Sequence, residues 1–215
     1  MKNILITGGS GFIGSAITNS LLVNNRYKIT VFDNFSRGKK SKLLKSKKLK
    51  LFKGDISNYN QILRACKNID TVIHLAAVNG TRYFYEKPCE VLSVASKGVI
   101  NIIDVCIKKK IKNLYLASSS EVYHKPTKIP TTEKEPLKIP DIYNPRYSYA
   151  CGKILTEVYG INFGRKYFKR LIIFRPHNVY GYDMGKEHVI PELIFKTLNT
   201  KNNKIKIKGS GNEKR

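Results

Sequence analysis

Short apolar segments rich in β-branched residues recur along this chain and alternate with longer stretches of helical character. The apolar segments are residues 4–7, 28–32, 49–52, 71–77, 113–118 and 171–174, and the helix-like stretches include 12–24, 58–66, 88–108 and 147–168. Strands that alternate with helices predict parallel strands joined by right-handed crossovers, and nearly continuous apolar strands fit a sheet covered on both faces. The pattern predicts an α/β fold with a doubly wound parallel sheet.

The same pattern indicates where a ligand would bind. In a doubly wound sheet, ligands lie outside the carboxyl ends of the strands, so the residues directly after each predicted strand are the candidates. Residues 124–146 contain five prolines and are predicted to form a long ordered loop rather than a helix or a strand. Long loops in compact domains are usually functional or disordered.

The composition is typical of a globular protein of the cytoplasm. Its 215 residues are 41% apolar, which suits one medium domain or one domain and part of another. No apolar run approaches the roughly 18 residues of a membrane helix, and the first residues lack the features of a secretion signal. The cysteines at positions 66, 89, 106 and 151 show neither metal-ligand spacing nor obvious pairing, and the histidines are scattered. We therefore expect reduced thiols, no membrane partner and no metal site.

A net charge of +25 by itself suggests an anionic partner, with nucleic acid first. The lysines are, however, spread along the chain, and only residues 39–53 form a dense basic run. Such a run is most simply a solvated loop and strand edge. We do not expect a dedicated nucleic-acid surface, although a nucleic-acid-binding protein remains the alternative from a different class.

A glycine-rich turn follows the first predicted strand. The sequence TGGSGFIGS at 7–15 gives the spacing Gly8, Gly11, Gly14, and also Gly9, Gly11, Gly14. Glycines let backbone N–H groups approach a pyrophosphate at the positive end of the next helix. Asp33 ends the second strand, where a carboxylate accepts hydrogen bonds from ribose hydroxyls and repels the additional phosphate of NADP. NAD is thus the predicted cofactor; a glycine turn with a surface aspartate is the alternative.

Weaker candidates follow the third and fourth strands. Asp55 lies after the third strand, and the small residues Ala76 and Ala77 lie after the fourth, where a bulky side chain would block a cofactor. Each has a structural alternative, since Asp55 could cap a helix and the alanines could simply pack. Their positions at successive strand ends favour a role in binding.

The most specific chemistry is a Tyr–Lys pair. Tyr149 precedes Lys153 by four positions, so both share one helix face, and Ser119 follows the fifth strand. Lys153 also has an ordinary partner available in Glu157, one turn further on. A lysine ammonium near the phenol, together with the positive nicotinamide of NAD, would lower the pKa of Tyr149 and allow it to act as a base. The alternatives are a catalytic trio and a simple pair of helix neighbours.

With these motifs the chain resembles the extended short-chain dehydrogenase/reductase family, specifically the NAD-dependent nucleotide-sugar epimerases and dehydratases. The resemblance covers the whole chain and rests on TGGSGFIG, DNFSRG, GDI, HLAA, SSSEVY, YACGK, FRPHNVYG and GSGNEKR. It implies a Rossmann fold, an NAD cofactor and a nucleotide-sugar substrate. Tyr149 would take a proton from a sugar hydroxyl, Ser119 would fix that oxygen, and Lys153 would bind the nicotinamide ribose.

The resemblance assigns the remaining candidate residues to two sets. Cofactor-binding residues are Gly8, Gly11, Phe12, Ile13, Gly14, Asp33, Asn34, Asp55, Ile56, Leu75, Ala76, Ala77, Tyr149, Lys153 and His177. Substrate-binding residues are Asn79, Ser119, Glu121, Tyr149, Asn178 and Arg215. Asn79 and Glu121 would face the sugar, and Arg215 would hold the nucleotide diphosphate. Glu121 could instead be a helix-start acid, and His177 could be a buried core histidine.

Two departures from the family pattern affect the predicted reaction. Ala95 stands where the family often has asparagine, so one hydrogen bond to the cofactor is expected to be missing. The 4,6-dehydratases carry an Asp–Glu pair after the catalytic hydroxyl, and here that pair is Ser120 and Glu121. Without the acid, dehydration lacks its proton donor, so the resemblance implies an epimerase acting at the sugar C4. A UDP-glucuronate decarboxylase would share the Ser–Glu pattern and is the enzymatic alternative.

The resemblance also predicts the organisation of the chain. Residues 1–175 would form the NAD-binding domain, and 176–215 would begin a substrate-binding lobe with a helix near 190–199 and a strand at 204–208. Because the family continues well beyond this point, we expect the chain to be a fragment with a truncated lobe, which binds NAD but turns over poorly. A homodimer is expected through the helices at 88–108 and 147–168.

Overall fold

The computed structural model describes residues 1–185, 189–200, 204–205 and 207. The chain divides into two units, Met1–His177 and Asn178–Arg215. The first unit contains the sheet, and the second contains one described helix. The functional assignment of the two regions, with its boundary at residue 175, remains a prediction.

The described strands form one parallel sheet in the first unit. They are β1 (Lys2–Thr7), β2 (Tyr27–Asp33), β3 (Leu49–Lys53), β4 (Thr71–His74), β5 (Asn113–Ala117) and β6 (Arg170–Phe174). Their order is β3-β2-β1-β4-β5-β6, and every neighbouring pair is parallel. This is the Rossmann order, in which the sequence of strands reverses between β1 and β4 and opens a crevice there. The predicted fold class is confirmed.

Five of the described α-helices lie between strands, and the sixth follows the last strand. They are α1 (Phe12–Val23), α2 (Tyr59–Ala65), α3 (Thr81–Glu86), α4 (Pro88–Lys108), α5 (Ser148–Tyr167) and, in the second unit, α6 (Val189–Asn199). All except α3 were predicted from the sequence. The proline-rich loop is mostly irregular, but it ends in a short 3₁₀ turn at Pro145–Tyr147.

Apolar residues cover both faces of the sheet. Leu5 belongs to a buried cluster with Val72 and Ile102, whereas Ile4 and Ile6 belong to a second cluster with Leu22 of α1. Side chains on a strand alternate between the two faces, so neighbouring residues of β1 enter different cores. The sheet is therefore sandwiched between helices, and polar side chains are left to gather at the strand ends.

Helix α5 packs through small residues. A Cβ added to Gly152 would lie 2.5 Å from the Cβ of Ala95 on α4, and one added to Gly160 would lie 2.6 Å from Leu116 Cδ1. Gly164 meets Leu171 in the same way, at 2.5 Å. These glycines let α5 approach the sheet and α4 more closely than larger residues would permit.

Some apolar residues of α5 are exposed. Val158 is 49% exposed and Ile161 is 40% exposed, so neither is buried against the sheet of this chain. An exposed apolar face suits the expected homodimer. The homodimer remains a prediction.

The second unit places apolar side chains of α6 at its surface, including Ile194, Phe195 and Leu198. The strand predicted at 204–208 falls partly on residues outside the described set, at positions 206 and 208. Within the described residues, no helix is both long enough and apolar enough to span a membrane.

Gly152→Ala tests the close contact between α4 and α5. The added methyl would meet Ala95, so we expect the free energy of unfolding to fall by about 1–3 kcal/mol, the usual cost of overpacking a core. The exchange Ala95→Gly/Gly152→Ala moves the methyl to the other helix and should recover most of the loss. Urea denaturation of the three proteins measures this, and an equally stable single variant would contradict the packing argument.

Candidate active site

The glycine-rich turn brings the backbone of β1 against α1 and the end of β4. Gly8 has a φ of +70°, and a Cβ there would lie 2.9 Å from the backbone nitrogen of Ala76. A Cβ on Gly14 would lie 2.7 Å from Gly9 Cα, so the first turn of α1 rests directly on the glycine turn. Gly11 caps the helix without a side chain, and the first turn of the helix contains no acidic residue.

This geometry fits the pyrophosphate of a dinucleotide. The first N–H groups of a helix have no intrahelical acceptor, and they carry the positive end of the helix dipole. Phe12, Ile13 and Gly14 are the first residues of α1 and supply these groups. Larger side chains in place of these glycines would fill the space that a phosphate needs in order to approach the backbone. The residues present therefore suit the predicted cofactor.

Asp33 ties the end of β2 to the glycine turn. Its carboxylate accepts hydrogen bonds from the backbone N–H groups of Ser10, at 3.0 Å, and Phe35, at 2.8 Å, and the residue is 8% exposed. Asp33 is thus a buried and oriented carboxylate rather than a surface aspartate. The neighbouring Asn34 uses its side-chain oxygen to accept from Ser36 N at 3.0 Å, which closes the following turn.

A threonine–histidine contact joins the ends of β1 and β4. Thr7 Oγ1 lies 2.8 Å from His74 Nδ1 and accepts from the backbone N–H groups of Leu75 and Ala76 at 3.2 and 3.3 Å. Burial, followed by the charge of Lys153, lowers the pKa of His74 to about 3, so the imidazole is neutral at pH 7. The contact fixes the backbone around Ala76, and the sequence did not single it out.

Asp55 closes a turn after β3. It is exposed, and its carboxylate accepts from Ser57 N at 2.7 Å, while the cap of α2 is Asn58. The alternative that Asp55 caps this helix is therefore wrong. Ile56 is buried beside Gly98. Roles of Asp55 and Ile56 toward the cofactor remain predictions.

The structure brings Ser119, Tyr149 and Lys153 together. Ser119 follows β5, and its side chain lies near enough to the phenol of Tyr149 to lower the pKa of that group. Lys153 Nζ lies 5.5 Å from the centre of the Tyr149 ring. The ammonium of Lys153 donates to the carbonyl oxygen of Ala117 at 2.7 Å, and the residue is 6% exposed. Lys153 does not pair with Glu157, whose carboxylate is held by Arg175 at 2.6 Å. The simple helix pair of Lys153 and Glu157 is therefore not what the structure contains.

The pKa of Tyr149 is raised in the chain on its own. Burial and the charge of Glu121 raise the pKa to about 12, and the side chain of Ser119 opposes that rise. The expected lowering, which depends on Lys153 together with the positive charge of bound NAD, remains a prediction. Burial also lowers the pKa of Lys153 to about 8, which leaves the amine mostly protonated at neutral pH.

Aromatic and charged residues that the sequence did not reveal surround the phenol. Phe84 of α3 stacks on Tyr149 with ring centroids 5.1 Å apart, and the guanidinium carbon of Arg146 lies 5.1 Å from the centre of the Phe84 ring. Arg146 also pairs with Glu121 at 2.9 Å. Glu121 lies in the first turn of the 3₁₀ helix Ser120–Tyr123, so it is a helix-start acid, and its charge also reaches Tyr149.

The other predicted residues have separate outcomes. His177 is exposed, so the alternative of a buried core histidine is wrong, and Asn79 is exposed with its carbonyl accepting from Arg37. Asn178 begins the second unit, and Arg215 lies outside the described residues. Ala95 packs against Gly152. The roles of His177, Asn79 and Asn178 remain predictions.

The strand order, the phosphate turn and the Ser–Tyr–Lys trio define a dinucleotide-binding α/β protein with a site of the short-chain dehydrogenase/reductase type. Residues 4–215 match the NAD dependent epimerase/dehydratase family, and the chain belongs to that family. Its cofactor is accordingly NAD.

Relatives and solved structures agree with this assignment. The chain is 34% identical over 217 residues to a putative UDP-glucose 4-epimerase of Methanocaldococcus jannaschii, covering 99% of this chain and 68% of the relative. It is 33% identical to a UDP-N-acetyl-alpha-D-glucosaminuronate decarboxylase of Bacillus cytotoxicus, covering 92% and 61%. A UDP-N-acetylglucosamine 4-epimerase from Methanobrevibacter ruminantium, solved with UDP-N-acetylmuramic acid, superposes with a TM-score of 0.83 at 29% identity, covering 92% and 63%. The chain thus spans about two thirds of the length of these proteins.

Asp33 is expected to discriminate between the two nicotinamide cofactors. The parent protein should bind NAD on the order of 100-fold more tightly than NADP, since bringing like charges together costs several kcal/mol. Asp33→Ala should weaken NAD binding and reduce the difference in affinity between NAD and NADP. Calorimetric titration of both proteins with both cofactors provides the measurement, and equal affinities in the parent would refute the assignment.

Lys153→Met is expected to stabilise the protein at pH 7 by about 1–3 kcal/mol, because it removes a buried charge. With its lowered pKa, the folded chain releases the Lys153 proton near pH 8, whereas the unfolded chain holds it to about 10.5. The unfolded state therefore binds more protons between these values, and the stability of the parent rises with pH there. Urea denaturation at several pH values should show that the stability advantage of Lys153→Met over the parent decreases from pH 8 upward. An advantage that is the same at every pH would contradict this account.

Proposed function

We propose that the protein catalyses the epimerisation of a nucleotide sugar at C4 through a transient 4-keto sugar. NAD, when bound, supplies the redox step by accepting a hydride from the sugar and returning it. The observation that carries the proposal is the convergence of Ser119, Tyr149 and Lys153 beside a turn that fits a dinucleotide. Acid–base, oxyanion-positioning and cofactor-binding groups are all supplied by this arrangement.

Tyr149 is the proposed acid–base residue. Its hydroxyl would take the proton of the sugar hydroxyl as the carbon is oxidised and return it when the keto group is reduced. The Ser119 hydroxyl, whose side chain lies near the phenol, would hold the same sugar oxygen. Lys153 would stabilise the phenolate through its charge and bind the cofactor ribose. With the pKa of Tyr149 at about 12 in the chain alone, the phenol needs positive charge nearby to act as a base.

The residues after Ser119 favour epimerisation over dehydration. Ser120 stands where the related dehydratases have an acid, and its backbone N–H donates to the carbonyl oxygen of Pro176 at 3.0 Å. A serine hydroxyl cannot protonate a leaving hydroxyl as a carboxylic acid does. A relative and a solved structure that are named 4-epimerases support this choice.

Decarboxylation of a nucleotide-sugar uronate is the second candidate. A relative of this chain is named as a decarboxylase, which supports it. Such a reaction needs a cation for the substrate carboxylate. Arg146 is a cation beside the site, but Glu121 already pairs with it at 2.9 Å. The observed pairing therefore favours the epimerase.

Incubation of the purified protein with UDP-, GDP-, CDP- and dTDP-sugars distinguishes these reactions. A C4 epimer is the expected product, and release of carbon dioxide from a uronate would favour the decarboxylase. Tyr149→Phe should reduce turnover at least roughly 100-fold, the usual contribution of general acid–base catalysis, and should leave NAD binding unchanged. Near-parental activity in this variant would rule out the proposed mechanism.

A further inference from the structure

Arg175 and Glu157 form a largely buried pair next to the catalytic groups. Arg175 Nε donates to Glu157 Oε1 at 2.8 Å, and Nη2 donates to Oε2 at 2.6 Å. The guanidinium also donates to Tyr123 Oη and, at 3.3 Å, to the carbonyl oxygen of Glu133. A guanidinium fork that meets both carboxylate oxygens fixes their direction as well as their charge.

Glu157 lies close to Lys153 yet is directed elsewhere. The two residues are one helical turn apart on α5, and Glu157 is 2% exposed while Lys153 is 6% exposed. Lys153 donates to the carbonyl oxygen of Ala117, and the next residue, Ser118, donates its hydroxyl to Glu157 Oε1. The ammonium and the carboxylate therefore bind consecutive residues at the end of β5 without forming an ion pair.

A buried carboxylate without a partner is costly, so it takes the nearest available cation. For Glu157 that cation would be Lys153, because residues four apart on a helix are neighbours on one face. Arg175 is a better-matched partner, because its guanidinium donates to both carboxylate oxygens, and Glu157 therefore does not pair with Lys153. Its charge comes from outside α5, from the residue that directly follows β6.

We propose that Arg175 is a positioning residue that holds the Glu157 carboxylate away from Lys153 and so leaves the Lys153 ammonium available to Tyr149 and to NAD. The inference rests on the proposed function for the roles of Lys153 toward Tyr149 and toward NAD. Among the described residues, the titratable groups that interact with Lys153 besides its helix neighbour Glu157 include Tyr149 on α5 and His74 on β4. Neither is a carboxylate, so Glu157 is the neighbour that could neutralise the ammonium.

Arg175→Met, Glu157→Gln and the double variant Arg175→Met/Glu157→Gln test the proposal. The readouts are the pH dependence of Lys153 acetylation, followed by peptide mass spectrometry, and NAD affinity by calorimetry without any sugar. In Arg175→Met, the released carboxylate should raise the pKa of Lys153 and weaken NAD binding about tenfold, the loss expected for one charged contact. The double variant should return both readouts to near-parental values, because no carboxylate remains.

The controls separate positioning from simple structural support. Glu157→Gln alone leaves the Arg175 guanidinium without its counter-charge, so it should not raise the pKa of Lys153 and should move it, if at all, in the direction opposite to Arg175→Met. If Arg175→Met does not fold, Arg175→Lys replaces it, since one ammonium cannot hold both carboxylate oxygens and should give a smaller shift in the same direction. Failure of the double variant to restore the Lys153 titration, or an unchanged titration in the folded single variant, would overturn the proposal. Restored NAD binding without sugar turnover would count against the proposed function alone.

Discussion

The site depends on burying one ammonium group without a carboxylate beside it. Among the described residues, Lys153 Nζ has a neutral hydrogen-bond acceptor, the Ala117 carbonyl, and an aromatic neighbour, Tyr149. Low dielectric surroundings make the charge costly and also extend its influence. Burial is thus the reason that the lysine is less basic than usual, and it would also strengthen the effect of the lysine charge on the phenol in the proposed reaction.

Two acids near the Tyr–Lys pair are both held by arginines. Glu121 pairs with Arg146, and Glu157 pairs with Arg175. The arginines offset negative charge near a phenol that would lose a proton in the proposed reaction, and the charge of Glu121 still raises the pKa of Tyr149 despite its partner. The arginines come from the loop before α5 and from the residue after β6, so several elements contribute to the electrostatics of one helix face.

The sequence predicted the parts of the molecule whose residues follow a recognisable local pattern. The strands and helix α4 follow regular apolar patterns, and the glycine turn and Asp33 were located because their positions follow directly from strand ends. Helix α3 was missed because it has six residues, too few to show a period. Phe84 was missed with it. The Arg175–Glu157 pair joins residues from different elements, and the spacing of residues in the sequence does not predict such a tertiary contact.

Helix α5 shows a different limit of sequence reasoning, because its inward face includes glycines where apolar residues would be expected. Gly160 lies against Leu116, and Gly164 lies against Leu171. No space remains for a larger residue at either glycine unless the facing leucine becomes smaller. Across related chains, these positions should consequently vary as pairs rather than singly, so that an evolutionary change in size on the helix is matched by an opposite change on the strand.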